Sequence, residues 1–311
     1  MNMKTVYLNN FMSSVVTELE MNGQYGTAHV CGSVLRSVMA FGGEGLPVSG
    51  ITPLWLKAYE GYLLHKGGKG LAWNTVSTYM RMLQAVYNRA VARKLAAFIP
   101  HQFRDVFTGR KADHRRVLER DDMQKLLVER EPDITSPGMA WARACLELMF
   151  RFHGMPFVDL AHLRKSDLKD GYLTLRRRKT GMPLSARVDG RAMQLLERYR
   201  NRDDTSPYLL CFLDGNLECM AAYRDYQRIL RLLNSRLRAL ALWKKVQGKV
   251  TSYSARHTWA TVGRYCHIPI EVISEGLGHA SVTTTEGYMK GFGNSRMERA
   301  NKVIMNYIFK G

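Results

Sequence analysis

Four side chains toward the end of the chain have the types and spacing for chemistry at a phosphodiester. They are Arg256, its neighbour His257, then His279 and Tyr288, with His279 23 positions after Arg256 and Tyr288 nine after His279. A tyrosine phenol can attack phosphorus, and an arginine can hold two phosphate oxygens in its planar fork. A histidine can hydrogen-bond the same oxygens. A free phenol has a pKa of about 10, so the attack needs a base and nearby cations. The plainer reading of Tyr288, as one of 15 tyrosines packing a helix end, loses ground once Arg256 and His279 are counted with it. His257 reads as a structural or supporting histidine. A zinc site from His257, Cys266, His267 and His279 has no common ligand spacing, so no metal is expected.

The elements that must hold these groups follow from local pattern. In residues 251–288, TSYSARHTWATVGRYCHIPIEVISEGLGHASVTTTEGY, Ser254 is predicted to cap a helix over 255–265. Pro269 begins another, which Gly276-Leu277-Gly278 ends. Upstream, helices are predicted over 118–130, with Asp121 and Asp122 near its positive end, and over 139–152. Gly154 and Pro156 break the latter, and a short helix restarts over 158–163. The stretch DGYLTLRRRKTGMPLSARVDG has turn signals at Asp170-Gly171 and Thr180-Gly181 and alternating apolar residues (Leu173, Leu175; Leu184, Ala186, Val188). It predicts a hairpin or three-stranded sheet with Lys179 at its tip. Arg176, Arg177 and Arg178 beside that lysine suggest a phosphate-facing ridge, against the alternative of a solvated turn.

Helices follow over 190–201 and 220–241. The second carries Arg224, Arg228, Arg231, Arg236 and Arg238 opposite a stripe of Ile229, Leu230, Leu233, Leu237 and Leu240. A last amphipathic helix is predicted over 296–309. The first 100 residues predict four helices, over 4–21, 25–41, 54–66 and from Asn74 or Thr75 onward, either of which can cap the fourth. Arg81 is among the scattered basic residues on their polar faces, able to meet a phosphate or only water. Residues 101–120, HQFRDVFTGRKADHRRVLER, are strongly basic with little periodicity and read as a linker.

Composition narrows the class. The chain has 311 residues, long enough for two domains, with 46% hydrophobic and 23% charged residues. No apolar run is long enough to span a bilayer. The N-terminal stretch reads as a helix of the fold rather than a signal peptide. Five cysteines without a CxxC pair suggest neither a disulfide framework nor a zinc ribbon, and fit a reducing cytoplasm. The net charge is +19, of which the first 100 residues, with 9 basic and 4 acidic side chains, hold +5. A field of that sign attracts polyanions and is rewarded by counterion release from nucleic acid.

The pattern Arg-His-Thr-x-Ala-Thr, then Leu-Gly-His, then Thr-x-x-x-Tyr resembles the catalytic end of the tyrosine recombinases, the phage integrase family. The helical N-terminal region resembles that family's SAM-like core-binding domain, and the Lys179-Thr180-Gly181 hairpin its lysine-bearing β-turn. The stretch GMPFVDLAHLRKSDL further resembles integrases and invertases of Bacteroidetes mobile elements. The resemblance implies a mainly helical fold with a small antiparallel sheet. A core-binding domain (1–103) and a basic linker (104–117) would precede a mixed α/β catalytic domain (118–311).

It also implies a site-specific DNA recombinase of the bacterial cytoplasm. Tyr288 would form a 3′-phosphotyrosyl link that keeps the bond energy for religation without ATP. Arg256 and His279 would hold the phosphate, and Lys179 would protonate the leaving 5′ oxygen, with no cofactor. The expected partners are double-stranded DNA, held partly by Arg81, Arg176, Arg177, Arg178, Arg224 and Arg228, three further copies of the chain, and accessory DNA-bending proteins. Two positions depart from the family. Tyr253 stands where the family has a histidine, and His153 stands at its first arginine in the Bacteroidetes-like pattern (Pro156 in the general one). A histidinium at 153 can donate to phosphate but offers fewer donors and is mostly neutral near pH 7. Arg151 is a second candidate for that role. The departure leaves an alternative, a catalytically impaired relative that binds DNA as an accessory protein.

Overall fold

The computed structural model describes residues 5–111, 117–128, 136–213, 215, 218–279, 281–286 and 301. Tyr288 and, apart from residue 301, the helix expected over 296–309 lie outside the described residues. The chain is mainly helical with one small sheet, as expected, and divides into two compact units. One comprises Met1–Ala112 with Leu217–Arg224, the other Asp113–Asn216 with Asp225–Gly311.

The first unit holds α1 (Leu8–Met21), α2 (Tyr25–Gly42), α3 (Pro53–His65) and α4 (Trp73–Ala92), the four helices the periodicity predicts. Their stripes meet in one core. Phe11, Met12, Val15 and Leu19 of α1 face Cys31, Val34 and Val38 of α2, with Leu56, Tyr59 and Leu63 of α3 and Val76, Met80, Leu83 and Tyr87 of α4. Full burial of each large apolar side chain contributes about 1.5–3 kcal/mol. Thr52 caps α3, its hydroxyl accepting from Trp55 N–H at 3.1 Å, with Pro53 as the first helical residue.

The fourth helix differs from expectation at its start. It begins at Trp73 without a side-chain cap, and Asn74 instead exchanges two hydrogen bonds with the backbone of Lys111. The expected linker likewise differs in its first part. Phe103 and Val106 are buried in the first core, the Phe107 N–H donates to the buried Glu60 carboxylate at 2.7 Å, and Ser77 donates to Gly109 O. The buried carboxylate supplies a reason for the chain to fold back that charge and periodicity did not show.

The second unit is built on α6 (Pro137–Arg151), buried on most of its circumference, with α5 (Arg120–Leu127), α7 (Phe157–Ala161), α8 (Gly190–Arg198) and α10 (Ser252–Tyr265) packed on it. The sheet runs β1 (Leu168–Lys169), β2 (Tyr172–Arg176), β3 (Pro183–Arg187), all antiparallel. Leu173 pairs with Ala186 and Leu175 with Leu184, so one apolar face forms as the alternation requires. On α9 (Met220–Trp243), Leu233, Leu237 and Leu240 are buried, while Arg224, Arg228, Arg231, Arg236 and Arg238 are exposed. The pair α11 (Ile270–Leu277) and α12 (Val282–Glu286) completes the unit. Among the described residues no helix is long and apolar enough to cross a membrane.

Candidate active site

Helix α10 begins at Ser252, earlier than expected. The Ser254 hydroxyl accepts from the Thr251 N–H at 3.1 Å inside the first turn, where the open amide groups of a helix need partners. Tyr253, Arg256 and His257 follow. Tyr253 is exposed, and its ring lies 6.2 Å from that of His257, which is buried. Arg256 is 4% exposed and its fork is held at both ends. Nη1 donates to Gly154 O at 3.0 Å, and Nη2 donates to Leu277 O at 2.7 Å. Two chain breaks thus grip one guanidinium. The loop after α6 presents Gly154, and the C-terminus of α11 presents one of its open carbonyls.

Gly154 has φ +66, and a Cβ there would lie 2.9 Å from the Arg256 Cα. Glycine is needed for the conformation and for the approach. Gly278 has φ +60 and closes α11 in the left-handed conformation. It delivers His279 directly after the turn. His279 Nε2 lies 2.7 Å from Arg256 Nη2, and Nδ1 lies 2.8 Å from Thr285 Oγ1. Arginine has no acceptor, so Nε2 must be the unprotonated nitrogen and Nδ1 carries the proton, donating to Thr285. Burial, then the charges of Arg256, Arg177 and Lys179, push the His279 pKa down to about 4.

Folded His279 is therefore neutral at neutral pH, while the unfolded chain takes up a proton near 6.5. The stability this group contributes is complete above that value and falls as pH drops toward about 4. The expected observation is a His279 Cε1 proton resonance with a midpoint near 4. A midpoint at or above the ordinary imidazole value would show that the three cations do not face the ring.

Lys179 sits exposed at the tip of the β2–β3 hairpin, close enough for its charge to act on His279. Arg176 and Arg178 beside it are exposed, as are Arg81 on α4 and Arg224 and Arg228 on α9. Arg228 is paired with Asp225 at 2.7 Å. The reading of Arg177 as part of an exposed ridge is corrected. Arg177 is 5% exposed, with Nε 3.0 Å from Oδ2 of the buried Asp159. The same carboxylate accepts the Arg178 N–H at 3.0 Å. The reason is the pleat. Leu173, Leu175 and Arg177 are two apart, so the inward face of β2 continues into the arginine. That alternation is visible in the sequence; Asp159 as the buried partner is not.

His153 has φ +56 and lies against Trp259, ring centroids 5.6 Å apart. Burial lowers its pKa, so it is a neutral imidazole at neutral pH rather than a cationic substitute for an arginine. Arg151 is engaged elsewhere, with Glu147 at 2.9 Å and Asp189 at 2.5 Å. The structure thus brings Arg256, His279 and the charges of Lys179 and Arg177 to one place, and gives His153 and Arg151 other partners. Thr285 and Asp159 were not singled out in the sequence, since no local pattern marks either.

The sequence profile of the phage integrase family matches residues 116–293, and that of the phage integrase SAM-like domain matches residues 7–104. Tyrosine recombinase XerA of Pyrococcus furiosus is 29% identical over 140 residues, 44% of this chain and 46% of XerA, so the match spans about half the length of that relative. Among solved structures, the Tn1549 transposon integrase in complex with transposon right end DNA superposes with a TM-score of 0.64 at 15% identity, covering 97% of this chain and 99% of the other. A lambda integrase tetramer bound to a Holliday junction gives 0.59 at 15% identity, covering 92% and 78%. These structural likenesses establish the fold.

Proposed function

The chain belongs to the phage integrase family, and from that membership and its site we propose that it is a site-specific DNA recombinase. The observation that carries the reading is the buried Arg256 guanidinium bonded to His279, beside a hairpin lysine. A cationic pocket of this kind stabilises the charge that grows on a pentavalent phosphorus. The Tyr288 oxygen bonds to phosphorus as its phenolic proton passes to water. The bond from phosphorus to the 5′ oxygen breaks, and Lys179 gives that oxygen a proton. Arg256 holds a non-bridging oxygen, and His279 joins it when its ring proton moves from Nδ1 to Nε2, the Thr285 hydroxyl then donating to Nδ1. The exposed Tyr253 lies one turn before Arg256 at the family's histidine position. No metal or cofactor takes part.

Residues 1–103 serve as the core-binding domain and 118–311 as the catalytic domain. The basic stretch 104–117 joins them, folding against the first unit as far as Lys111. Double-stranded DNA is the substrate, contacted by Arg81, Arg176, Arg178, Arg224 and Arg228, which are exposed. Four copies act together on two duplexes, as suits a chain folded like an integrase that forms a tetramer on a Holliday junction. Accessory DNA-bending proteins assist in the bacterial cytoplasm. The resemblance of the stretch GMPFVDLAHLRKSDL to integrases and invertases of Bacteroidetes mobile elements supports a role in such an element.

The test is a nicked duplex made from DNA flanking its gene, in which the cut fragment diffuses away and traps the intermediate. A covalent protein–DNA adduct is expected with the native chain and none with Tyr288→Phe. Binding without any adduct in the native chain would sink the strand-transfer reading and leave the accessory one.

A further inference from the structure

The site described so far has one arginine for a phosphate with two charge-bearing oxygens, and the residue at the position of the family's first arginine is a neutral histidine packed on Trp259. Resting on the strand-transfer reading, we propose that Arg177 is the second phosphate-binding arginine, with Nη1 taking a non-bridging oxygen of the scissile phosphate. Three observations carry this. Arg177 is 5% exposed, yet its Nη1 has no hydrogen-bond partner among the described residues. A buried polar atom left unpaired is costly, and more so when charged. That cost is returned when an anionic oxygen reaches it.

The second observation is position. The Arg177 side chain crosses Gly278, where a Cβ would lie 2.6 Å from Cδ and 2.8 Å from Nη1. Gly278 immediately precedes His279, whose ring is bonded to Arg256, so both guanidinium groups lie near one histidine. Its charge also acts on His279, consistent with that placement. The third is preorganisation. Asp159 takes Nε at 3.0 Å and the next backbone N–H at 3.0 Å, fixing the arginine from behind and leaving Nη1 to the site. A charged side chain held by a buried carboxylate and missing one partner is poised for an anion. Arg151, at the end of α6, is engaged elsewhere, paired with Glu147 and Asp189.

Removing Arg177 alone would strand the Asp159 charge, so the test uses the double variant Arg177→Gln with Asp159→Asn, which keeps a neutral hydrogen-bonded pair. Its folding is checked by thermal melting, with Arg177→Lys as a second variant should the pair melt early. In the full chain, inorganic phosphate is titrated against the His279 Cε1 resonance, and the variant is expected to bind it about ten-fold or more weakly. On the nicked duplex its rate of adduct formation should fall about 100-fold or more. A methylphosphonate at the scissile position lacks the charge that Arg177 neutralises, so on that substrate the variant should return to within about ten-fold of the native chain.

Equal losses on both substrates with unchanged phosphate affinity would make Arg177 a mere anchor of the hairpin and overturn the proposal. So would an ordinary phosphodiester cut at the native rate. A native chain that forms no adduct defeats the strand-transfer reading instead, and the phosphate titration then decides on Arg177 by itself.

Discussion

Arg256→Lys is expected to lose covalent capture of DNA by about 1,000-fold while still binding the duplex. The arginine serves two ends. Its fork ties the loop at Gly154 to the C-terminus of α11 at Leu277, and it sets the Nε2 side of His279. A lysine keeps the charge but presents a single ammonium that cannot span two carbonyls and an imidazole in fixed directions. At least one buried carbonyl is then left without its donor, a cost of roughly 1–3 kcal/mol. The His279 ring also loses the contact that fixes its tautomer.

The measurement is the rate of adduct formation on the nicked duplex beside the melting temperature and DNA affinity of the same preparation. Adduct formation within about ten-fold of the native rate would remove Arg256 from the phosphate site. Loss of DNA affinity in parallel with the rate would point to collapse of the unit rather than loss of a transition-state contact.

The largest effect on stability is expected at Gly154→Ala. The left-handed backbone costs a non-glycine residue about 1–2 kcal/mol. The new Cβ would lie 2.9 Å from the Arg256 Cα, a backbone atom of α10 that cannot turn aside as a side chain can. Crowding of this kind costs about 1–3 kcal/mol, for a total of roughly 2–5 kcal/mol. Gly171→Ala is the control, because Gly171 has φ +76 and nothing within 4 Å of its Cβ position. It should show the backbone cost alone. Denaturant unfolding of the two variants separates the contributions. If Gly154→Ala is no worse than Gly171→Ala, the close approach of the two segments is not as described.

The local pattern of the chain was enough to place most elements. The 3-4 spacing of Val15 and Leu19, or of Leu233, Leu237 and Leu240, is a statement about neighbours a few residues apart, and those residues are buried as the spacing requires. The same holds for Leu173 and Leu184 in the hairpin and for the glycines that end helices. Where expectation failed, the cause was a partner distant in sequence. Asn74 was expected to cap α4 and instead holds Lys111, 37 positions on. The basic run after Phe103 was expected to be a linker, but its beginning is drawn onto the first unit by Glu60, 47 positions before the Phe107 amide.

The site divides in the same way. The sequence by itself determined that an arginine and a histidine of the right kinds stand 23 positions apart, with a lysine on a turn and a family resemblance that the matching profiles bear out. Only the tertiary structure decided what the other cations nearby are bonded to. His153, Arg151 and Arg177 were all present in the sequence, and what separates them is Trp259 lying over the first, Glu147 and Asp189 holding the second, and Asp159 meeting the third inside the hairpin. The fold also brings Gly154 to rest against a helix residue 102 positions away. Spacing within a helix or strand is set by backbone geometry and is legible residue by residue. The charge surrounding a buried imidazole is set by which segments pack together, and that is a property of the folded unit alone.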